Sequence, residues 1–192
     1  VPAVLTPFNK QMEVDYDEFG RHIQDVCSVD GVTAIMVNGA SMEDSTLTRD
    51  EKTVLIEKAI DASGGKTPII AAVRESEIES DLGLLAREAE EAGAESILIM
   101  PTNDKVYTTV NGALERFGKV FDGCGLPVAF YQVNPDGFGG YPVETMIALA
   151  EQERVFAVKE GSGVLRSVRS TCVPCVPPIP KSPSGLPTVV GF

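Results

Sequence analysis

Short apolar runs alternate with amphipathic stretches along most of this chain. The runs are rich in Val, Ile, Leu, Ala and Met, and their near-continuous hydrophobicity is typical of strands buried on both faces. Six strands are predicted: Pro2 to Leu5, Ala34 to Val37, Pro68 to Val73, Ser96 to Met100, Pro127 to Tyr131 and Val155 to Lys159.

Apolar residues spaced three and four apart predict a helix between each strand and the next. The predicted helices are Asp15 to Val29, Thr48 to Ala62, Ser76 to Ala92, Thr108 to Asp122 and Val143 to Glu151. Thr48 followed by Glu51 is a capping box, and Gly93 is placed to end the third helix. The repeated βα units predict an all-parallel α/β fold, either an open doubly wound sheet or a barrel.

Two features of the sequence limit this fold. No G-x-G-x-x-G or Walker sequence follows the first predicted strand, which weighs against the nucleotide-binding open-sheet folds. From Thr171 to Phe192 the chain is dense in proline and lacks helical periodicity. We therefore divide it into an α/β domain, residues 1–169, and an irregular Pro-rich tail, residues 170–192.

The composition limits the possible binding partners more than it limits the possible folds. The 43 % hydrophobic and 23 % charged residues are ordinary for a globular protein. A net charge of -12 would repel nucleic acid and anionic membranes, so neither is expected as a partner. No apolar run approaches the roughly 18 residues that a membrane span needs, and the start lacks a basic signal region. The cytoplasm is the expected location.

The cysteines offer a weak chemical signal. Cys172 and Cys175 form a C-x-x-C sequence, which can be a redox pair or half of a zinc site. Zinc needs two further ligands, and the single histidine, His22, lies far away in a predicted helix. We expect neither a metal nor an organic cofactor.

Four segments near the ends of predicted strands resemble one enzyme family in their order. They are Ala3-Val4-Leu5-Thr6-Pro7-Phe8, Gly39-Ala40-Ser41-Met42-Glu43, Phe130-Tyr131-Gln132-Val133 and Val158-Lys159-Glu160-Gly161-Ser162-Gly163. Together they resemble the dihydrodipicolinate synthase and N-acetylneuraminate lyase family of class I pyruvate-dependent aldolases. The resemblance implies a TIM-type (β/α)₈ barrel, in which active sites lie at the carboxyl ends of the strands.

The resemblance supplies only about six of the eight βα units. A six-stranded parallel sheet leaves two open edges that a barrel would close. We therefore expect a C-terminally truncated, frameshifted or split form of the enzyme, or a chain whose open edges pair with another copy, and the sequence leaves these alternatives open. Because related enzymes are usually tetramers or dimers of dimers, a homo-oligomer is expected.

The resemblance gives Lys159 the role of Schiff-base nucleophile. Lys159 ends a predicted strand, and strict alternation puts its side chain on the same side as Ala157 and Val155. If that side is the barrel interior, desolvation lowers the lysine pKa and frees a neutral amine to attack a ketone. Without the resemblance, a strand-end lysine that reaches out to solvent is the simpler interpretation.

The resemblance also gives roles to two other segments. Tyr131 would be a proton shuttle, and Gly39, Ala40 and Ser41 would bind the substrate carboxylate. Ala40 replaces a hydroxyl residue of the family and Met42 replaces a glycine, which predicts weaker carboxylate binding and a strained loop. The simpler alternatives are a tyrosine buried for its ring and a serine that only caps a turn.

Two departures from the family bear on the substrate. Tyr107 stands alone where dihydrodipicolinate synthases carry paired tyrosines, and no arginine occurs from Asn134 to Gly140. Both argue against condensation with aspartate semialdehyde. We predict a Schiff-base lyase, aldolase or dehydratase, acting on pyruvate or a 2-oxo-3-deoxy sugar acid. The alternatives are a non-catalytic remnant or interaction protein, an enzyme assembled from two polypeptides, and dihydrodipicolinate synthase itself.

Overall fold

The computed structural model describes residues 1–75, 81–133 and 139–163, which contain five strands and five α-helices. The strands are β1 (Ile35–Val37), β2 (Ile69–Val73), β3 (Ser96–Ile99), β4 (Val128–Gln132) and β5 (Val155–Glu160). The helices are α1 (Tyr16–Cys27), α2 (Arg49–Ser63), α3 (Leu82–Glu91), α4 (Val110–Gly123) and α5 (Val143–Ala150). Short 3₁₀ helices, Ala40–Met42 and Lys105–Thr108, follow β1 and β3.

The five strands form one parallel sheet in chain order, β1-β2-β3-β4-β5. One face packs against the helices in a large core that includes Phe19, Leu55 and Phe117. The other face carries a smaller apolar cluster, around Met36 and Leu98, to which no described helix contributes. A doubly wound sheet reverses its strand order and carries helices on both faces. The observed topology is that of a barrel wall.

The predicted first strand, Pro2 to Leu5, is wrong as a full strand. The segment lies parallel to β1 but forms a single bridge, between Ala3 and Met36. Its two backbone hydrogen bonds run from Val4 N to Met36 O (3.2 Å) and from Met36 N to Pro2 O (3.0 Å). The next amide, that of Leu5, donates to His22 Nε2 of α1 at 3.2 Å and not to β1.

The predicted helix signals are confirmed where they lie among the described residues. Thr48 N donates to Glu51 Oε2 at 2.8 Å and Glu51 N donates to Thr48 Oγ1 at 3.2 Å, which completes the capping box of α2. Gly93 follows α3 with a φ of +95°. The predicted start of α3 at Ser76 is wrong: Asp81 has an extended backbone and its side chain accepts from Leu84 N at 3.0 Å, so α3 begins at Leu82. Ser76 itself and the whole predicted tail with its C-x-x-C sequence lie outside the described residues. No described helix is long and apolar enough to span a bilayer.

A β-bulge changes which side chains share the face of Lys159. The register between β4 and β5 shifts after the first residue pair, so Phe156 is an extra residue in β5. Val155 packs against the core on the helix side, whereas Phe156 and Ala157 pack against the inner cluster. The prediction that Val155 shares the face of Lys159 is therefore wrong, while Ala157 does share it.

Candidate active site

Lys159 and Tyr131 lie side by side at the carboxyl ends of β5 and β4. The two residues are register partners in the parallel sheet, and both are half-buried. The Lys159 Nζ lies 4.5 Å from the centroid of the Tyr131 ring. It also lies 3.8 Å from the sulfur of Met36, a buried residue of β1 that nothing in the sequence singled out.

The lysine lies at the rim of a concave space on the inner face of the sheet. Every strand contributes to this space, which has an empty volume of ≈ 360 Å³ and opens to solvent. Its lining includes Met36, Ile70, Leu98, Ala129 and Ala157. Burial among these apolar side chains lowers the pKa of Lys159. The ring face of Tyr131 attracts a cation and opposes part of this effect.

The segment from Gly39 to Ser41 follows β1 at the same edge of the sheet. Gly39 is buried and precedes the 3₁₀ helix, and its carbonyl accepts a hydrogen bond from Met42 N at 2.9 Å. A Cβ placed on Gly39 would lie 3.7 Å from the Met36 methyl carbon. Met36 therefore lies close to this turn as well as beside Lys159, between the two parts of the predicted site.

The exposed face of the turn carries Ala40 and Ser41. The Ser41 hydroxyl donates to Val4 O at 2.9 Å, so its proton is already used by the N-terminal segment. The first turn of any helix leaves backbone N–H groups without an intrahelical acceptor, and no side chain caps this one. The donors that this turn offers to an anion are therefore backbone amides more than the serine hydroxyl.

The predicted strain at Met42 is wrong. Met42 has an ordinary φ, and the left-handed conformations fall instead on Asn38 (φ 58°) and Glu43 (φ 57°). Met42 is fully buried, and its sulfur accepts from Asn38 N at 2.9 Å. Asparagine tolerates this conformation better than most residues, and the Asn38 amide donates to Lys52 O at 3.0 Å. The left-handed conformations thus lie on the residues that flank this turn, and position 42 does not need a glycine.

Tyr107 is held by α4. Its hydroxyl accepts a hydrogen bond from Lys119 Nζ at 3.2 Å, and the same ammonium lies 5.2 Å from its ring centroid. Most of the segment without an arginine, residues 134–138, lies outside the described residues. In the described parts of the chain, no group of three or more His, Cys, Asp or Glu side chains could hold a metal ion.

Comparison with known protein families shows which family this chain belongs to. The sequence model of the Dihydrodipicolinate synthetase family matches residues 1–177. The chain belongs to that family. The 4-hydroxy-tetrahydrodipicolinate synthase of Caldicellulosiruptor bescii is 34 % identical over 168 residues, which cover 86 % of this chain and 55 % of that protein. The enzyme of the same name from Macrococcus caseolyticus is 33 % identical over 169 residues, with 88 % and 55 % covered.

Solved structures of the family have the same fold. The dihydrodipicolinate synthase of Aquifex aeolicus is 29 % identical with a TM-score of 0.74, and the match covers 88 % of this chain and 57 % of that one. The enzyme from Acinetobacter baumannii, solved in complex with pyruvate, is 25 % identical with a TM-score of 0.76 and the same coverage. The chain thus spans about half the length of the family members that it matches.

In this member of the dihydrodipicolinate synthetase family, a buried arginine joins several strand ends. Arg116 of α4 is fully buried, and its Nε donates to Glu75 Oε1 at 2.7 Å. Its two Nη atoms donate to the Tyr141 hydroxyl (3.1 Å) and to Met100 O (2.8 Å). Gln132 in turn exchanges two hydrogen bonds with the Tyr141 backbone, at 2.9 and 3.0 Å. These bonds connect α4 with the carboxyl ends of β2, β3 and β4.

Glu75 and Arg116 each stabilise the charged form of the other. Burial acts to raise the pKa of the Glu75 carboxyl, but the hydrogen bonds and charge of Arg116 outweigh it and hold that pKa below its ordinary value. Burial likewise disfavours the Arg116 cation, yet Glu75 and Tyr141 raise the pKa of the guanidinium. Both partners are therefore charged at neutral pH. The family resemblance did not indicate this pair.

Proposed function

We propose that this protein is a class I lyase that forms a Schiff base between Lys159 and a 2-oxo acid. The observation that carries the proposal is a half-buried lysine at the carboxyl end of a barrel strand, with a lowered pKa and a tyrosine ring against its Nζ. Membership of a family whose named relatives are synthases supports the same chemistry.

The reaction begins with the neutral amine of Lys159. Its lone pair attacks the ketone carbon while the carbonyl π pair moves to oxygen, and a proton passes from nitrogen to that oxygen to give a neutral carbinolamine. The carbinolamine hydroxyl then takes up one proton from the solvent and leaves as water, while the nitrogen lone pair forms the C=N bond of the iminium ion. The cation withdraws the electron pair of a neighbouring carbon–carbon bond or carbon–hydrogen bond as that bond breaks. Because Nζ lies over the Tyr131 ring, the aromatic face also stabilises the positive charge of the iminium.

We assign proton transfer to Tyr131 and carboxylate binding to the turn at Gly39, Ala40 and Ser41. The Tyr131 ring lies within reach of the reacting nitrogen, and a phenol can both give and accept the proton exchanged between substrate and leaving group. In the turn, backbone amides are the main donors to the carboxylate, since Ser41 donates to Val4 O and Ala40 has no hydroxyl. These assignments predict modest affinity for pyruvate.

The substrate that we favour is pyruvate or a 2-oxo-3-deoxy sugar acid. The Tyr107 hydroxyl accepts a hydrogen bond from Lys119, which supports a site without the paired tyrosines of dihydrodipicolinate synthase. A second candidate is the condensation for which the relatives are named, and identities of 33 and 34 % favour it. The two candidate reactions differ in the molecule with which pyruvate condenses or from which it is released.

A direct assay separates these two candidates. The protein is incubated with 2-oxo-3-deoxy sugar acids and released pyruvate is measured; in parallel, it is incubated with pyruvate and aspartate semialdehyde and pyruvate consumption is measured. We expect release from at least one sugar acid. Pyruvate consumption that depends on aspartate semialdehyde, without any cleavage of sugar acids, would favour the relatives' reaction instead.

The lowered pKa of Lys159 predicts the pH dependence of imine formation. The neutral amine is the nucleophile, so the rate at which pyruvate becomes trapped by borohydride rises with pH until Lys159 is deprotonated. Because burial lowers its pKa, we expect the rate to level off below the ordinary pKa of lysine. A rate that keeps rising through that ordinary value would show that Lys159 is not desolvated.

A further inference from the structure

The side chain of Met36 lies between the candidate nucleophile and the turn that follows β1. Its sulfur is 3.8 Å from Lys159 Nζ, and its methyl carbon would be 3.7 Å from a Cβ placed on Gly39. These are ordinary van der Waals separations, so no further layer of atoms fits between the thioether and the amine. Met36 is only 3 % exposed, and its thioether is therefore closed off from solvent.

A 2-oxo acid that binds as proposed needs the volume of this thioether. In the Schiff base the carboxylate carbon lies two bonds from Nζ, on the order of 2.5 Å away for bonds of about 1.3 to 1.5 Å. A carboxylate that extends from there toward the backbone amides of Ala40 and Ser41 overlaps with the Met36 sulfur, which lies 3.8 Å from Nζ on the side of the turn. The methionine must therefore move before the adduct can reach the turn.

The Met36 side chain can move while its backbone stays in place. Its N–H donates to Pro2 O at 3.0 Å and its carbonyl accepts from Val4 N at 3.2 Å, while Ile70 of β2 is its register partner on the other side. Methionine is unbranched and has three rotatable side-chain bonds. Met36 also borders the concave space of ≈ 360 Å³ on the inner face of the sheet, which offers room for the displaced thioether.

We propose that Met36 is a displaceable side chain, which occupies the place of the substrate carboxylate in the ligand-free protein and so sets the affinity for 2-oxo acids. This inference deepens the proposed Schiff-base function and rests on it. If the conformation with Met36 turned aside is populated to about 10 %, the apparent dissociation constant is about tenfold higher than that of an open site. A shorter side chain at position 36 removes this cost, because the site is then open in every molecule.

The test measures the pyruvate concentration that gives half the maximal rate of adduct formation on Lys159 in the presence of cyanoborohydride. We expect Met36→Val, which lacks the sulfur and the methyl carbon, to lower this concentration about tenfold and to change the maximal rate less. Met36→Leu keeps most of the volume and should lower it less than about threefold. The control is Met146→Val, which shortens a buried methionine of α5 in the core on the helix side of the sheet, and it should leave the concentration unchanged.

Two results would overturn the inference. One is a half-saturating pyruvate concentration in Met36→Val equal to that of the unmodified protein. The other is a decrease of the same size in Met146→Val, which would be a general effect of loosening the core. Folded protein that forms no adduct on Lys159 in any variant would contradict the proposed function, and the role of Met36 is then decided by a ligand that forms no imine.

Lactate is such a ligand, because it has the carbon skeleton and the carboxylate of pyruvate but no ketone. Its binding is followed by the backbone amide resonances of Ala40 and Ser41. We expect half-saturation at about tenfold less lactate in Met36→Val than in the unmodified protein. Equal concentrations, or amide resonances that lactate moves in neither protein, would overturn the role of Met36 whatever the amine does.

Discussion

Replacing Lys159 by alanine should lower turnover of any cleaved 2-oxo acid on the order of 10³-fold or more, because in the proposed mechanism its amine forms the covalent intermediate. Initial rates at saturating substrate measure this loss. The substitution removes a partly buried ammonium that lies over an aromatic ring, so circular dichroism before the assay verifies that the variant is folded.

Lys52 offers a matched control for this experiment. It is a lysine of α2 whose pKa burial also lowers, but it lines a separate cavity on the helix side of the sheet with Arg49 and Glu88. Lys52→Gln should keep the rate of the unmodified protein within about twofold. Equal losses in the two variants, or full activity in Lys159→Ala, would count against Lys159 as the nucleophile.

Replacing Arg116 by methionine should destabilise the folded protein by about 3 to 5 kcal/mol. The substitution removes every hydrogen bond that the guanidinium donates and leaves the Glu75 carboxylate, whose side chain is 20 % exposed, without the Arg116 cation. Urea unfolding at neutral pH measures the change. The pKa of Glu75 is depressed, so the ion pair stabilises the fold above the ordinary carboxyl pKa and is lost as the pH falls.

Two comparisons identify the cause of that loss. Arg116→Met combined with Glu75→Leu removes both charges, and should recover a large part of the stability, since an apolar pair costs less than one unpaired charge. Arg21→Met breaks an exposed ion pair with Glu18 and should change the free energy of unfolding far less than Arg116→Met does. If Arg116→Met were as mild as Arg21→Met, the buried group would not hold the strand ends together.

Most of the fold was predictable because its signals are local. Buried parallel strands appear as apolar runs, and α2 carries its own capping box at Thr48 and Glu51. The choice between a barrel and an open sheet was not local, because it depends on strand order and on which face the helices cover. Only the family resemblance predicted it before the topology was known.

The errors concern features that depend on tertiary contacts. A bulge at Phe156 moved Val155 to the other face, and nothing in the alternation of the sequence marks an extra residue. The strain predicted at Met42 fell on Asn38 and Glu43, because the turn forms a 3₁₀ helix in which Met42 packs inward. In both cases the backbone conformation differs from the one that the sequence pattern predicted.

The contacts around the candidate site were harder to predict. In the sequence, Arg116 stands out only as a charged residue on the apolar face of α4, between Ala113 and Val120. Its partner Glu75 lies 41 residues away, so the pairing could not be predicted. The contact between the Lys159 Nζ and the Met36 sulfur, at 3.8 Å, joins residues 123 apart and exists only in three dimensions.

The central claim is that Lys159 forms a Schiff base, and borohydride reduction in the presence of pyruvate tests it most directly. Intact-mass and peptide mass spectrometry then locate the adduct in the 192-residue chain. We predict one reduced pyruvate adduct, on the peptide that contains Lys159, and none after Lys159→Ala. Folded protein that gains no adduct, or gains it equally on other lysines, would contradict the Schiff-base mechanism and favour a non-catalytic member of the family.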